Sequence, residues 1–127
     1  MKDTAVTLIQ EKREQGILVL ALQKSFMERR DLTGLEAEYT AALKSEKFLV
    51  LDLTALDYID SLHLAALVVL YKRAVETGCL VIFSGLRPTV RNTFQATRLD
   101  QVFTIASTRK GAVDLALKGG KKDDRWE

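Results

Sequence analysis

Residues able to do chemistry are few in this chain, and only one pair stands at a place where chemistry usually gathers. Asp60 and Ser61 close the segment Thr54-Ala55-Leu56-Asp57-Tyr58-Ile59-Asp60-Ser61, which joins an apolar run to a long apolar helix. In open α/β sheets, ligands and active groups collect beyond the carboxyl ends of the strands, at junctions of this kind. Asp and Ser are also among the commonest helix N-caps, so capping is the plain structural reading of both residues. His63 is the sole histidine and Cys79 the sole cysteine. A Ser61–His63 dyad is poor geometry, because side chains two apart on a helix diverge. His63 is therefore expected to serve packing or an interface. Cys79 starts a buried-type strand and reads as core, since free cysteine is among the most buried residue types. One histidine and one cysteine exclude an intramolecular disulfide and any His- or Cys-rich metal site. Gly34, Gly78, Gly85 and Gly111 are scattered and form no phosphate-binding loop. Neither a cofactor nor an enzymatic activity is expected.

The elements that must position Asp60 and Ser61 follow from the hydrophobic pattern. Residues 5–10 read as a strand, Glu11 to Gly16 as a charged turn, and Ile17 to Leu22 as a second strand, together a hairpin. Gln23 to Arg30 reads as loop. Leu32 to Lys44 has helical spacing, with Asp31 or Thr33 as cap and Thr33–Glu36 at the spacing of a capping box. Phe48 to Leu53 and Cys79 to Ser84 are nearly continuous apolar runs, which suit parallel strands covered on both faces. Ser61 to Thr77 is a helix, apolar almost all round in its first half, with Gly78 as its stop. Pro88 opens a helix to about Ala96. Val102 to Ile105 reads as a short last strand. Ser107 or Thr108 then caps a helix to Leu117 that Gly119-Gly120 ends. The order ββαβαβαβα predicts a single α/β domain over residues 1–120. Its sheet should be mixed and mostly parallel, of four to five strands, with helices packed on it. Residues 121–127 form a charged tail, with Trp126 either disordered or docking.

Composition narrows the function classes. The 127 residues carry 19 basic and 17 acidic side chains, for a net charge of +2. The excess lies in residues 85–127, with 9 basic against 5 acidic. That is too little for a nucleic-acid-binding stripe. Arg87, Arg91 and Arg98 read as a solvated helix face, with a basic edge for an acidic partner as the alternative. The longest apolar stretch, Leu62 to Tyr71, has ten residues, against about 20 for a membrane span. No charged-then-apolar leader opens the chain, and a reducing, cytoplasmic setting is expected.

Val50-Leu51-Asp52-Leu53, Tyr58-Ile59-Asp60-Ser61, Leu70-Tyr71-Lys72-Arg73-Ala74 and Gly78 together resemble the STAS family of bacterial anti-sigma factor antagonists. The resemblance continues through Val81-Ile82-Phe83, Arg87-Pro88-Thr89-Val90-Arg91 and Phe94 to Phe103. It covers roughly residues 5–117 and is most specific in the second half. It implies that Ser61 is a phosphoacceptor. Its donor would be a partner serine kinase that is also the anti-sigma factor. The unphosphorylated form would bind that kinase and free the sigma factor, the phosphorylated form would let go, and a serine phosphatase would reset it. The family's usual run is Asp-Ser-Ser/Thr-Gly-Leu-Gly, whereas this chain has Asp60-Ser61-Leu62-His63-Leu64-Ala65. Both glycines and the second hydroxyl are gone. Leu62 and His63 would fill the space where a kinase backbone approaches a glycine. The resemblance thus puts Glu28, Asp60, Leu62 and His63 at the partner interface. The alternative is a non-switching STAS scaffold, a subunit of a lipid-transport or signalling assembly that has lost the phosphorylation cycle.

Overall fold

The computed structural model describes residues 9–120. Among the described residues five strands lie in sequence order across one sheet: β1 (Ile9–Glu14), β2 (Ile17–Leu22), β3 (Phe48–Asp52), β4 (Leu80–Ser84) and β5 (Thr104–Ala106). β1 is antiparallel to β2, and every later pairing is parallel. Six α-helices lie among the described residues: α1 (Lys24–Glu28), α2 (Leu35–Glu38), α3 (Thr40–Ser45), α4 (Ser61–Thr77), α5 (Pro88–Ala96) and α6 (Arg109–Leu117). The mixed, mostly parallel sheet and the α/β class agree with the sequence reading.

Strand periodicity sorts the core into two layers. Leu18, Leu20 and Leu22, Leu49 and Leu51, and Val81 and Phe83 face the layer formed by Phe26, Leu35, Leu43, Leu67, Leu70, Val90 and Phe94. Val19, Val50 and Ile82 face the other way, onto Ala112, Val113 and Ala116 of α6. So, among the described residues, α1 to α5 cover one side and α6 covers the other. The central strands are buried on both faces, which is why they read as unbroken apolar runs.

The structure departs from the sequence reading in its first third. Of the strand expected over residues 5–10, positions 5–8 lie outside the described residues. β1 then runs through Glu14, so most of the supposed charged turn is strand. The actual turn is Gln15-Gly16, with φ of 52° and 85°. Two successive positive φ values match the right-handed twist of a two-residue hairpin. The charges of Glu11 to Glu14 sit on an edge strand, where they discourage pairing with other chains. The expected loop over Gln23 to Arg30 contains α1, folded because Phe26 and Met27 are buried. The expected helix over Leu32 to Lys44 starts at Leu35 and breaks at Tyr39 into α2 and α3. Asp31 does not cap it. Its carboxylate accepts the backbone N–H of Thr33 at 3.1 Å, in an Asx-type turn. The Glu36 side of the expected capping box lies outside the described side chains. The last strand is displaced to Thr104–Ala106, because a 3-10 turn occupies Leu99–Gln101. The charged tail, Trp126 included, lies outside the described residues.

Helices α4, α5 and α6 begin and end as their caps dictate. Gly78 takes φ 82° past the end of α4, Pro88 opens α5, and Thr108 accepts the N–H of Gly111 at 3.0 Å.

Candidate functional site

The connection from β3 to α4 is built from the chain outward. At its start Asp52 Oδ1 accepts both the N–H and the hydroxyl of Thr54, at 2.9 and 2.6 Å. Leu56 and Ile59 are buried and pin the middle of the loop. Asp57 and Tyr58 are thereby left facing outward. Arg87, from the start of α5, donates Nε–H to the Thr54 carbonyl at 2.7 Å and lies 3.6 Å from Asp57. Arg87 is therefore a brace for this loop and no part of a free basic face, while Arg91 and Arg98 stay exposed.

Asp60 caps α4. Its Oδ1 accepts the backbone N–H of His63 at 2.9 Å, which satisfies one of the orphan donors of the first turn. The same oxygen lies 2.6 Å from His63 Nδ1, and Oδ2 lies 3.0 Å from Arg30 Nη1. These donors, the His63 backbone N–H foremost, then the His63 ring, with Arg30 behind them, hold the Asp60 carboxyl well below the ordinary carboxylate range. Asp60 is thus not a bare charge beside Ser61, because two partners share it.

His63 corrects an expectation. It is 0% exposed and cannot touch a partner directly. Its place as the third helical residue turns the ring inward, along the stripe His63, Leu67, Leu70, Ala74 that α4 buries at helical spacing. Nε2 lies 2.8 Å from the Arg29 carbonyl, and the ring meets Phe26 edge-on at 5.0 Å between centroids. Both nitrogens therefore face acceptors, a carboxylate and a carbonyl. His63 joins three elements: the end of α1, the connection to α2, and the start of α4.

Ser61, by contrast, is exposed on the first turn of α4. Leu62 beside it is 36% exposed, and Tyr58, three residues earlier, is 53% exposed. Glu28 ends α1 and is exposed. Leu62, Ala65, Ala66 and Val69 form one wall of a shallow groove of about 320 Å3, and Arg30 to Leu35 form the other. The first half of α4, apolar almost all round in sequence, is buried along the stripe His63, Leu67, Leu70 and leaves Leu62 and Val69 exposed. Sequence reasoning missed Arg30 and the Arg29 carbonyl. Thirty positions separate Arg30 from Asp60, and no local spacing announces their meeting. Cys79 is buried just ahead of β4, and burial pushes its thiol up to about 11. Among the described residues no cluster of His, Cys, Asp or Glu fits a metal ion. Among them no helix is long and apolar enough to cross a membrane.

Residues 9–112 match the family model of the STAS domain. The chain belongs to the STAS family. A protein of Bordetella bronchiseptica named as an anti-sigma factor antagonist, BtrV, is 32% identical over 98 residues, which span 76% of this chain and 84% of that one. An anti-sigma-factor antagonist (STAS) domain protein from Planctomyces limnophilus superposes with a TM-score of 0.70 at 22% identity, covering 87% of this chain and 97% of the other. The anti-sigma factor antagonist SpoIIAA in its unphosphorylated form superposes with a TM-score of 0.63 at 18% identity, covering 91% and 99%. At these identities the two structural matches speak for the fold, and BtrV ties the chain to the antagonist branch of the family.

Proposed function

We propose that this STAS domain is an anti-sigma factor antagonist switched by phosphorylation of Ser61. Its partner is an anti-sigma factor that is also a serine kinase. In the transfer, Ser61 Oγ forms the new bond to the γ-phosphorus of ATP and the bond to ADP breaks. The hydroxyl proton goes to a base of the kinase. A serine phosphatase returns the hydroxyl. The observation that carries this reading is the exposure of Ser61 directly after the capped and charge-paired Asp60. The domain itself should tolerate the phosphate, because an anion near a helix N-terminus is favoured by about 0.3–1 kcal/mol.

Release arises at the interface instead. A surface shaped around a neutral serine between Tyr58 and Leu62 must desolvate a group of roughly −1.5 to −2 charge. A like-charge or desolvation clash there costs several kcal/mol, and each 1.4 kcal/mol is about tenfold in affinity. Titration calorimetry against the partner kinase tests this. Ser61→Asp should weaken binding by at least tenfold with an unchanged melting temperature, and Ser61→Ala should bind while taking up no phosphate. Equal affinity of Ser61→Asp and the unsubstituted chain would refute the switch. The exposed Leu62, standing where the family carries a hydroxyl, favours a second reading in which the surface binds but does not cycle. That reading predicts binding without any phosphate transfer to Ser61.

A further inference from the structure

A phosphate on Ser61 would arrive next to Asp60, and this chain must reconcile the two negative charges before any partner is met. Arg30 is the cation at hand. Its Nη1 lies 3.0 Å from Asp60 Oδ2, and its side chain is otherwise open, at 64% exposure. Asp60 does not depend on it, because Oδ1 keeps the N–H and the ring of His63 at 2.9 and 2.6 Å. Arg30 can therefore turn from Asp60 without leaving that carboxylate unpaired.

The place of Arg30 suits the move. Arg30 borders the same groove as Leu62 and Ala65. Ser61 stands one helical turn before Ala65, on the same face of α4. Consecutive Cα atoms are about 3.8 Å apart, so a phosphate on Ser61 stands one residue from the carboxylate that Arg30 already reaches. The backbone beneath Arg30 is held on both sides. The Arg29 carbonyl faces His63 Nε2 at 2.8 Å, and Arg29 Nε–H donates to the Asp31 carbonyl at 2.8 Å. A guanidinium presents paired N–H groups that match phosphate oxygens.

We infer that Arg30 is the receiving cation for the phosphate on Ser61, pairing with it inside the modified chain while His63 keeps Asp60. The inference rests on the assignment of Ser61 as the phosphoacceptor. It makes the phosphorylated surface a closed charge pair.

The test uses the full chain with phosphoserine installed at position 61 by codon suppression, so that no kinase is needed. Phosphorus NMR follows the second ionisation of the phosphate, which lies near pH 6 in an unpaired phosphoserine. Pairing with Arg30 should hold it below that value. Arg30→Gln should raise it by roughly 0.5 unit, the size expected of a partly exposed ion pair, and Arg30→Lys should restore most of the shift. An ionisation identical in the unsubstituted chain and Arg30→Gln would overturn the inference. A kinase that leaves Ser61 unmodified would instead sink the proposed switch and leave this measurement standing.

Discussion

Removing the His63 ring should cost far more stability than its position in a binding motif suggests. His63→Ala deletes a fully buried ring that spans Asp60 and the Arg29 carbonyl. The Arg29 carbonyl and the Asp60 carboxylate then lose the ring they face, at about 1–3 kcal/mol for buried polar groups left short of partners. The edge-on contact with Phe26 is also lost, worth about 0.5–1.5 kcal/mol. Together these give a loss of about 2–4 kcal/mol, which in a domain of this size lowers the melting temperature by roughly 8–15 °C. Leu62→Ala, one residue away but exposed, should cost about 0.5 kcal/mol or less. Equilibrium urea unfolding of the three chains measures both differences. A loss below 1 kcal/mol for His63→Ala would refute the description of His63 as a latch between α1 and α4.

Other outcomes follow from the same geometry. The carboxyl of Asp60 is depressed in the folded chain, so its stabilisation is complete above the ordinary value near 4 and drains as pH falls through the depressed value. Asp60→Asn, which still caps, should flatten the acid limb of a stability-against-pH curve; equal slopes for the two chains would contradict this. Gly85 has φ 72°, and a Cβ there would collide with Thr54 Oγ1 and lie 2.9 Å from Asp52 Oδ1. Gly85→Ala should therefore lose at least about 2 kcal/mol in urea unfolding, and a loss under 0.5 kcal/mol would speak against it. Cys79 combines burial with a thiol raised to about 11, so a disulfide reagent at mildly alkaline pH should label it only on unfolding. Fast labelling of the native chain would show the site to be open.

What the sequence disclosed depended on how local the cause was. β3, α4, β4 and α5 are set by apolar runs and by end signals within a few residues: Gly78 in the left-handed region, and Pro88 in a first turn. Those elements were legible. Phe26 and Met27 fold into α1 only because the sheet and α4 bury them, and Tyr39 interrupts a helix that its neighbours' spacing would continue. β1 was misread because its charges suit an edge strand as well as a turn, and only the sheet distinguishes the two. The same division runs through the site. Asp60 and Ser61 could be found because a cap is a local object. The inward turn of His63 was half visible, since its divergence from Ser61 follows from helix geometry. Its partners were not, because the Arg29 carbonyl and Arg30 arrive through tertiary packing.

The central claim is that Ser61 carries the switch, and the chain isolated from its own cells tests it most directly. Affinity capture with phosphosite mass spectrometry should find an ATP-binding serine kinase with the unmodified chain, and phosphate on Ser61 in the unbound pool. A stable partner of another kind, with Ser61 unmodified in both pools, would contradict the account and leave a STAS fold that binds without cycling.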